Sequence, residues 1–177
     1  MILNYLPEHL ERFLFTLTVV SKEAVLLAET RKRLFDHANI DAAWLNALTN
    51  DNHWADVLES FVSRFGRMQD TLGDKLLPRL ALLEGEKSGT AIENYNRAEQ
   101  RQLIRSTDNW VMMRSLRNKL VHEYLDDVDE FIESLHLAKS LTDDLLQAYQ
   151  NIRQYAEQHL QIASDKLPHK LSNTFFA

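Results

Sequence analysis

The chain has no cysteine, and only four glycines and three prolines among 177 residues. Each shortage removes a class of protein. Without cysteine there is no disulfide framework, no thiolate zinc site and no thiol nucleophile. That fits a reducing compartment, and a cytoplasmic location is expected. So little glycine and proline leaves few turn signals for hairpins and short strands, and an all-α architecture is expected instead. Long apolar runs are missing too: FLFTLTVV falls far short of the ~20 residues that a membrane span requires. The opening MILNYLPEHLERF has neither a basic n-region nor a small-residue cleavage site, so neither targeting nor membrane association is expected. There is no Gly-x-x-x-x-Gly-Lys loop, no Gly-x-Ser-x-Gly elbow and no His-Glu-x-x-His pair. A net charge of −6 argues against coating nucleic acid through a global field.

What is present is helical periodicity over a 45% hydrophobic chain, enough for one domain with a substantial core. The spacing of Leu10, Phe13, Leu14, Leu17 and Val20 predicts a first helix over about 8–38, opened by Pro7 and early glutamates. Asp41 and Asp51 are expected to cap a short helix and a long one. In the long one, Gly66 and Gly73 share a face and read either as room for another helix to approach closely or simply as two costly helix glycines, and Pro78 is expected to kink or end it. EGEKSG reads as a loop, 90–104 as a helix, and STD at 106–108 as the cap of the next. A last helix is expected over about 128–162. The architecture expected is an up-and-down bundle of four to five helices over residues 1–162, with 163–177 as a loosely ordered tail.

Charge is distributed unevenly. Residues 97–119 carry Arg97, Arg101, Arg105, Arg114, Arg117 and Lys119, whereas 123–133 carry Glu123, Asp126, Asp127, Asp129, Glu130 and Glu133. Such a pair of segments reads either as solvated helix faces or as a local polyanion site beside an acidic run. Glu133 and His136 have the Glu-x-x-His spacing of di-iron bundles, but a second such pair is missing, so no metal is expected there.

Between the two charged segments lies RNKLVHEY, residues 117–124. At about 100° per residue, Arg114, Asn118 and His122 lie along one stripe, with Arg117 and Tyr124 on a neighbouring one. Leu116 and Leu120 fall on the other side, as anchors. Arg117 and His122 differ by about 140°, so they meet only at a helix end or across a two-fold axis.

RNKLVHEY resembles the Arg-x4-His-x-Tyr signature of HEPN domains of the HepT type, in which asparagine commonly follows the arginine, as Asn118 does here. FGRMQDTLGDKLLP and NRAEQRQLIRSTDNWVMMRSLRNKLVHEYLDD are also similar to HepT sequences, so the resemblance covers about residues 61–126. It implies a helical bundle that forms a homodimer, with arginines and histidines of both protomers lining one cleft. It implies a toxin that cleaves RNA without metal or other cofactor. It also implies an MNT-type nucleotidyltransferase partner that acts as antitoxin by transferring AMP to Tyr124. His122 would act as acid or base near neutral pH. Arg117 would stabilise charge on the phosphorane, with Asn118 orienting the histidine or donating to phosphate. Arg114 would add phosphate attraction. An alternative is a non-catalytic subunit that presents nucleotide or substrate to the transferase.

Overall fold

Proline at position 7 suits the first turn of a helix, where its missing N–H has no intrahelical partner to lose. α1 accordingly runs from Pro7 to His37. A computed structural model describes residues 5–122 and 127–176, the side chain of His122 excepted. Phe13, Leu17, Val20, Ala24, Leu27 and Leu34 recur at helical spacing and are buried. Asp41 accepts from the Trp44 N–H at 2.8 Å and starts α2, Ala42–Ala47. Asp51 does the same for Trp54 at 3.2 Å and starts α3, Asn52–Asp70. Both caps satisfy N–H groups that a helix start leaves orphaned.

Pro78 neither ends the long helix nor forces a break. A π-helical turn, Thr71–Leu76, leads directly into α4, Leu77–Leu83. The Leu77 N–H bonds to the Leu72 carbonyl, five residues back. The wider turn re-routes the hydrogen bonding just before a residue that has no N–H to give, so the helix continues past it. Gly66 and Gly73 do admit close neighbours, but these are side chains rather than another backbone. A Cβ on Gly73 would lie 2.8 Å from the Tyr95 hydroxyl, and one on Gly66 would lie 3.0 Å from Arg117 Cγ.

Thr90 and Glu93 form a reciprocal capping box that opens α5, Ala91–Gln100. α5 stops short of the expected 104 because Gln102 adopts a left-handed φ of 58°. Leu103 N–H then bonds back to Ala98 and Gln102 N–H to Glu99, the pattern of a Schellman stop. Ser106 accepts from the Asn109 N–H as α6, Thr107–His122, begins. Asp127 caps α7, Val128–Gln158, accepting from Glu130.

The described residues are thus helical and without strands, and they form a bundle. α1 packs on α3 and α7, while α6 fills the space between α3 and α7, and α5 lies against α4 and α6. Trp110, Tyr95, Tyr149, Phe13, Phe61, Phe65 and Phe131 are fully buried at the centre. Among the described residues, no helix is long and apolar enough to cross a membrane.

Residues 159–176 are laid back along α7, a packing role that their sequence did not announce. Leu160, Ile162, Leu167 and Leu171 are buried. Buried Arg153 donates to the Pro168 carbonyl at 2.6 Å, and Tyr149 to the His169 carbonyl at 2.7 Å. Arg31 of α1 reaches the Phe175 carbonyl at 2.7 Å and Asp143 at 2.6 Å.

Candidate functional site

α6 is held by one face. Trp110, Met113, Leu116 and Leu120 are buried in the core, as the register of Leu116 and Leu120 predicts. Its N-terminus is tied down twice: by Ser106, and by Glu99, which accepts from the Thr107 N–H at 2.7 Å. Hydrogen bonding from Thr107, its hydroxyl first and then this N–H, holds the Glu99 carboxyl below its ordinary range, because the ionised form accepts such bonds better. The opposite face turns Val111, Met112, Arg114, Ser115 and Asn118 to solvent.

Arg117 lies at the edge between these faces. Its aliphatic stem crosses Gly66 on α3, and its Nη2 meets Asp70 Oδ2 at 2.8 Å. Its Nη1 faces Asn118 Oδ1 at 3.5 Å, the outer limit of a hydrogen bond. Arg114 runs to Asp74 at 3.3 Å. Asp74, followed by the Tyr95 hydroxyl, raises the pKa of this guanidinium above its ordinary value. The two arginines of α6 therefore end on two aspartates one turn apart on the neighbouring helix.

The structure brings Arg117 and Asn118 together on α6 and turns Arg114, one turn earlier on the same helix, to Asp74 of the π turn. His122 is the last residue of α6, but its imidazole lies outside the described residues, and so does Tyr124 with residues 123–126. Sequence reasoning missed Asp70 and Asp74. Spacings of four for Asp70 and Asp74 and of three for Arg114 and Arg117 each put a pair on one helix face, but nothing in the sequence indicated which helix would face α6. The basic segment is largely paired within the chain: Arg97 and Arg101 reach Glu86, Arg101 also reaches Glu84, and Lys119 meets Glu130 at 2.7 Å. Solvated, mutually neutralised helix faces describe most of it. His136 of the Glu-x-x-His pair bonds through Nε2 with the Ile40 carbonyl at 2.9 Å, which fastens the α1–α2 connection.

Beside Arg117 a groove of about 640 Å³ opens between α3 and α6. Leu58, Val62, Leu120 and Phe131 form its apolar wall, and Arg67, Asp70 and Arg117 stand among its polar residues. The Arg117–Asp70 pair is about one-third exposed on each side. Exposed pairs of this kind contribute about 0–1 kcal/mol, and the guanidinium donors that Asp70 does not take are left for a phosphate to share. Chemically, the arrangement offers a guanidinium held ready for an anion at the mouth of an apolar groove. Comparison with protein-family models, with curated proteins and with solved structures returns no match for this chain.

Proposed function

We propose that this chain is a HepT-type HEPN toxin, a metal-independent endoribonuclease that works as a homodimer. The observation that carries the reading is the Arg117-x4-His122-x-Tyr124 signature in the sequence, whose Arg117 and Asn118 lie on α6 within reach of solvent while Leu116 and Leu120 are buried as anchors. His122 activates the 2′-hydroxyl or protonates the leaving oxygen, Arg117 stabilises charge on the phosphorane, and Asn118 orients one of them. Arg114 adds attraction for the backbone phosphate. An MNT-type nucleotidyltransferase silences the site by attaching AMP to Tyr124, adding negative charge and bulk where the substrate phosphate sits.

The test is incubation of the purified chain with RNA in the presence of EDTA. Cleavage is expected to persist in EDTA and to fall about 10²–10⁴-fold in His122→Ala, the usual value of a positioned acid or base, with a comparable loss in Arg117→Ala. A wild type inert on every RNA tested, or variants that cut equally well, overturns the reading. EDTA-sensitive cleavage replaces the proposed mechanism with another.

A further inference from the structure

We propose that Gly66 and Asp70, one turn apart on α3, form a cradle that positions the Arg117 guanidinium for phosphate; this rests on the endoribonuclease reading. An arginine at a helix edge ordinarily spreads over many rotamers. Charge stabilisation is effective when the donor is already fixed where charge will develop. Here the stem is fixed by an absence. A Cβ on Gly66 would lie 3.0 Å from Arg117 Cγ, 3.7 Å from Cδ and 3.6 Å from Nε. A Cβ at that position would force the arginine stem to give by a few tenths of an ångström, and a larger side chain would displace it further.

Asp70 then supplies the stop. Its Oδ2 holds Nη2 at 2.8 Å, while Asn118 Oδ1 bounds Nη1 at 3.5 Å. A guanidinium has five N–H donors, so these contacts leave donors over for a phosphate oxygen. Packing alone does not explain the cradle. Phe65 and Leu58 on α3 and Leu116 and Leu120 on α6 are buried and hold the two helices without it. The aspartate also stands among the groove residues, where it sets the direction of the fork and opposes the approach of RNA at the same time. The two effects act on different kinetic constants.

Asp70→Asn keeps the shape and removes the charge. The arginine loosens, so kcat is expected to fall by the order of 10- to 100-fold, the scale of a misplaced catalytic group. One anion fewer faces the substrate, so KM is expected to stay level or drop. Asp70→Glu is expected to restore part of kcat. Gly66→Ala improves intrinsic helix propensity yet displaces the arginine stem, so kcat is expected to fall while the melting temperature holds. The Arg117 Nε–H resonance, assigned with Arg117→Lys in ¹⁵N-labelled protein, is expected to be distinct in the wild type. In Asp70→Asn and Gly66→Ala it is expected to move to the position of a freely rotating arginine. If the wild type cleaves RNA and Arg117→Ala does not, while Asp70→Asn and Gly66→Ala keep wild-type kcat, the cradle is overturned and the endoribonuclease reading stands. A joint decline of kcat, KM and melting temperature overturns it in favour of a merely structural pair. An inert wild type overturns the endoribonuclease reading, and the positioning role falls with it.

Discussion

Glu23 shows how a single carboxyl feels its surroundings. It lies where α1 faces the π turn. One oxygen accepts from the Thr71 hydroxyl at 3.0 Å, and the other is buried without a hydrogen-bond partner. Burial pushes its pKa up, while the Thr71 bond and the charges of Arg67 and Lys75 pull the other way. A carboxyl whose folded pKa is raised favours folding in its protonated form. Its contribution is complete below the unfolded value and is lost as pH rises through the raised one. Glu23→Gln keeps the shape and removes the charge, so its melting temperature is expected to exceed that of the wild type at pH 7, with the gain vanishing near pH 4. Melts of both proteins across that range check this, and a gain that grows towards acid would refute it. Single residues were unevenly legible in the sequence. Gly66 and Gly73 announced close approaches, because a missing Cβ is a local fact. That Gly66 receives Arg117 and Gly73 receives Tyr95 depends on contacts across 51 and 22 residues, which periodicity cannot assign.

Elements were most legible where a side chain bonds to the backbone nearby. Asp41, Asp51 and Ser106 each accept an N–H three residues on, and that spacing is written directly in the sequence. Two features followed other rules. Pro78 read as a kink or an end, and the helix does not end there: the π turn just before it absorbs the missing donor, with Leu72 and Leu76 of that turn both fully buried. The end of α5 was misplaced because its left-handed stop is filled by Gln102, where glycine is the usual signal. A non-glycine residue in that conformation costs roughly 1–2 kcal/mol, and glycine gives part of this back through the flexibility it adds to the unfolded chain. Gln102 is exposed, and the bond it receives from Asn151 goes to its backbone carbonyl, so its side chain leaves little behind. Gln102→Gly is therefore expected to stabilise the chain by about 0.5–1 kcal/mol. Denaturant melts measure this, and a loss of stability would show that the side chain makes a contribution the geometry does not account for.

At the scale of the whole molecule, the bundle explains its core but leaves part of α6 uncovered. Val111, Met112 and Val121 are 44%, 39% and 62% exposed, on the helix that also carries Arg117 and Asn118. Single exposed apolar residues are ordinary. On this 16-residue helix Met112 lies about 180° from Val121, whereas Val111 and Val121 are about 80° apart, so Val111 and Val121 are the pair that a shared face beside the candidate site can use. The helical register supports the same arrangement: Arg117 and position 122 differ by about 140°, so one helix cannot easily aim both groups at one phosphate, whereas two helices related by a two-fold axis can. A 16-residue helix is about 24 Å long, and a standard interface takes roughly 800 Å² from each partner. Flanking surface must therefore join in, and half-buried Val62 on the wall of the groove is placed to do so. The proposed homodimer is expected to persist at micromolar concentration in sedimentation velocity. Val111→Glu and Val121→Glu place charge in the apolar contact, and each is expected to shift the chain to monomer and to abolish RNA cleavage without changing its helical circular dichroism. Ile92→Glu, on the exposed face of α5, is the matched control and is expected to change neither. A wild type that sediments as a monomer, or a dimer dissolved by Ile92→Glu and indifferent to Val121→Glu, would move the interface away from α6 and with it the shared cleft.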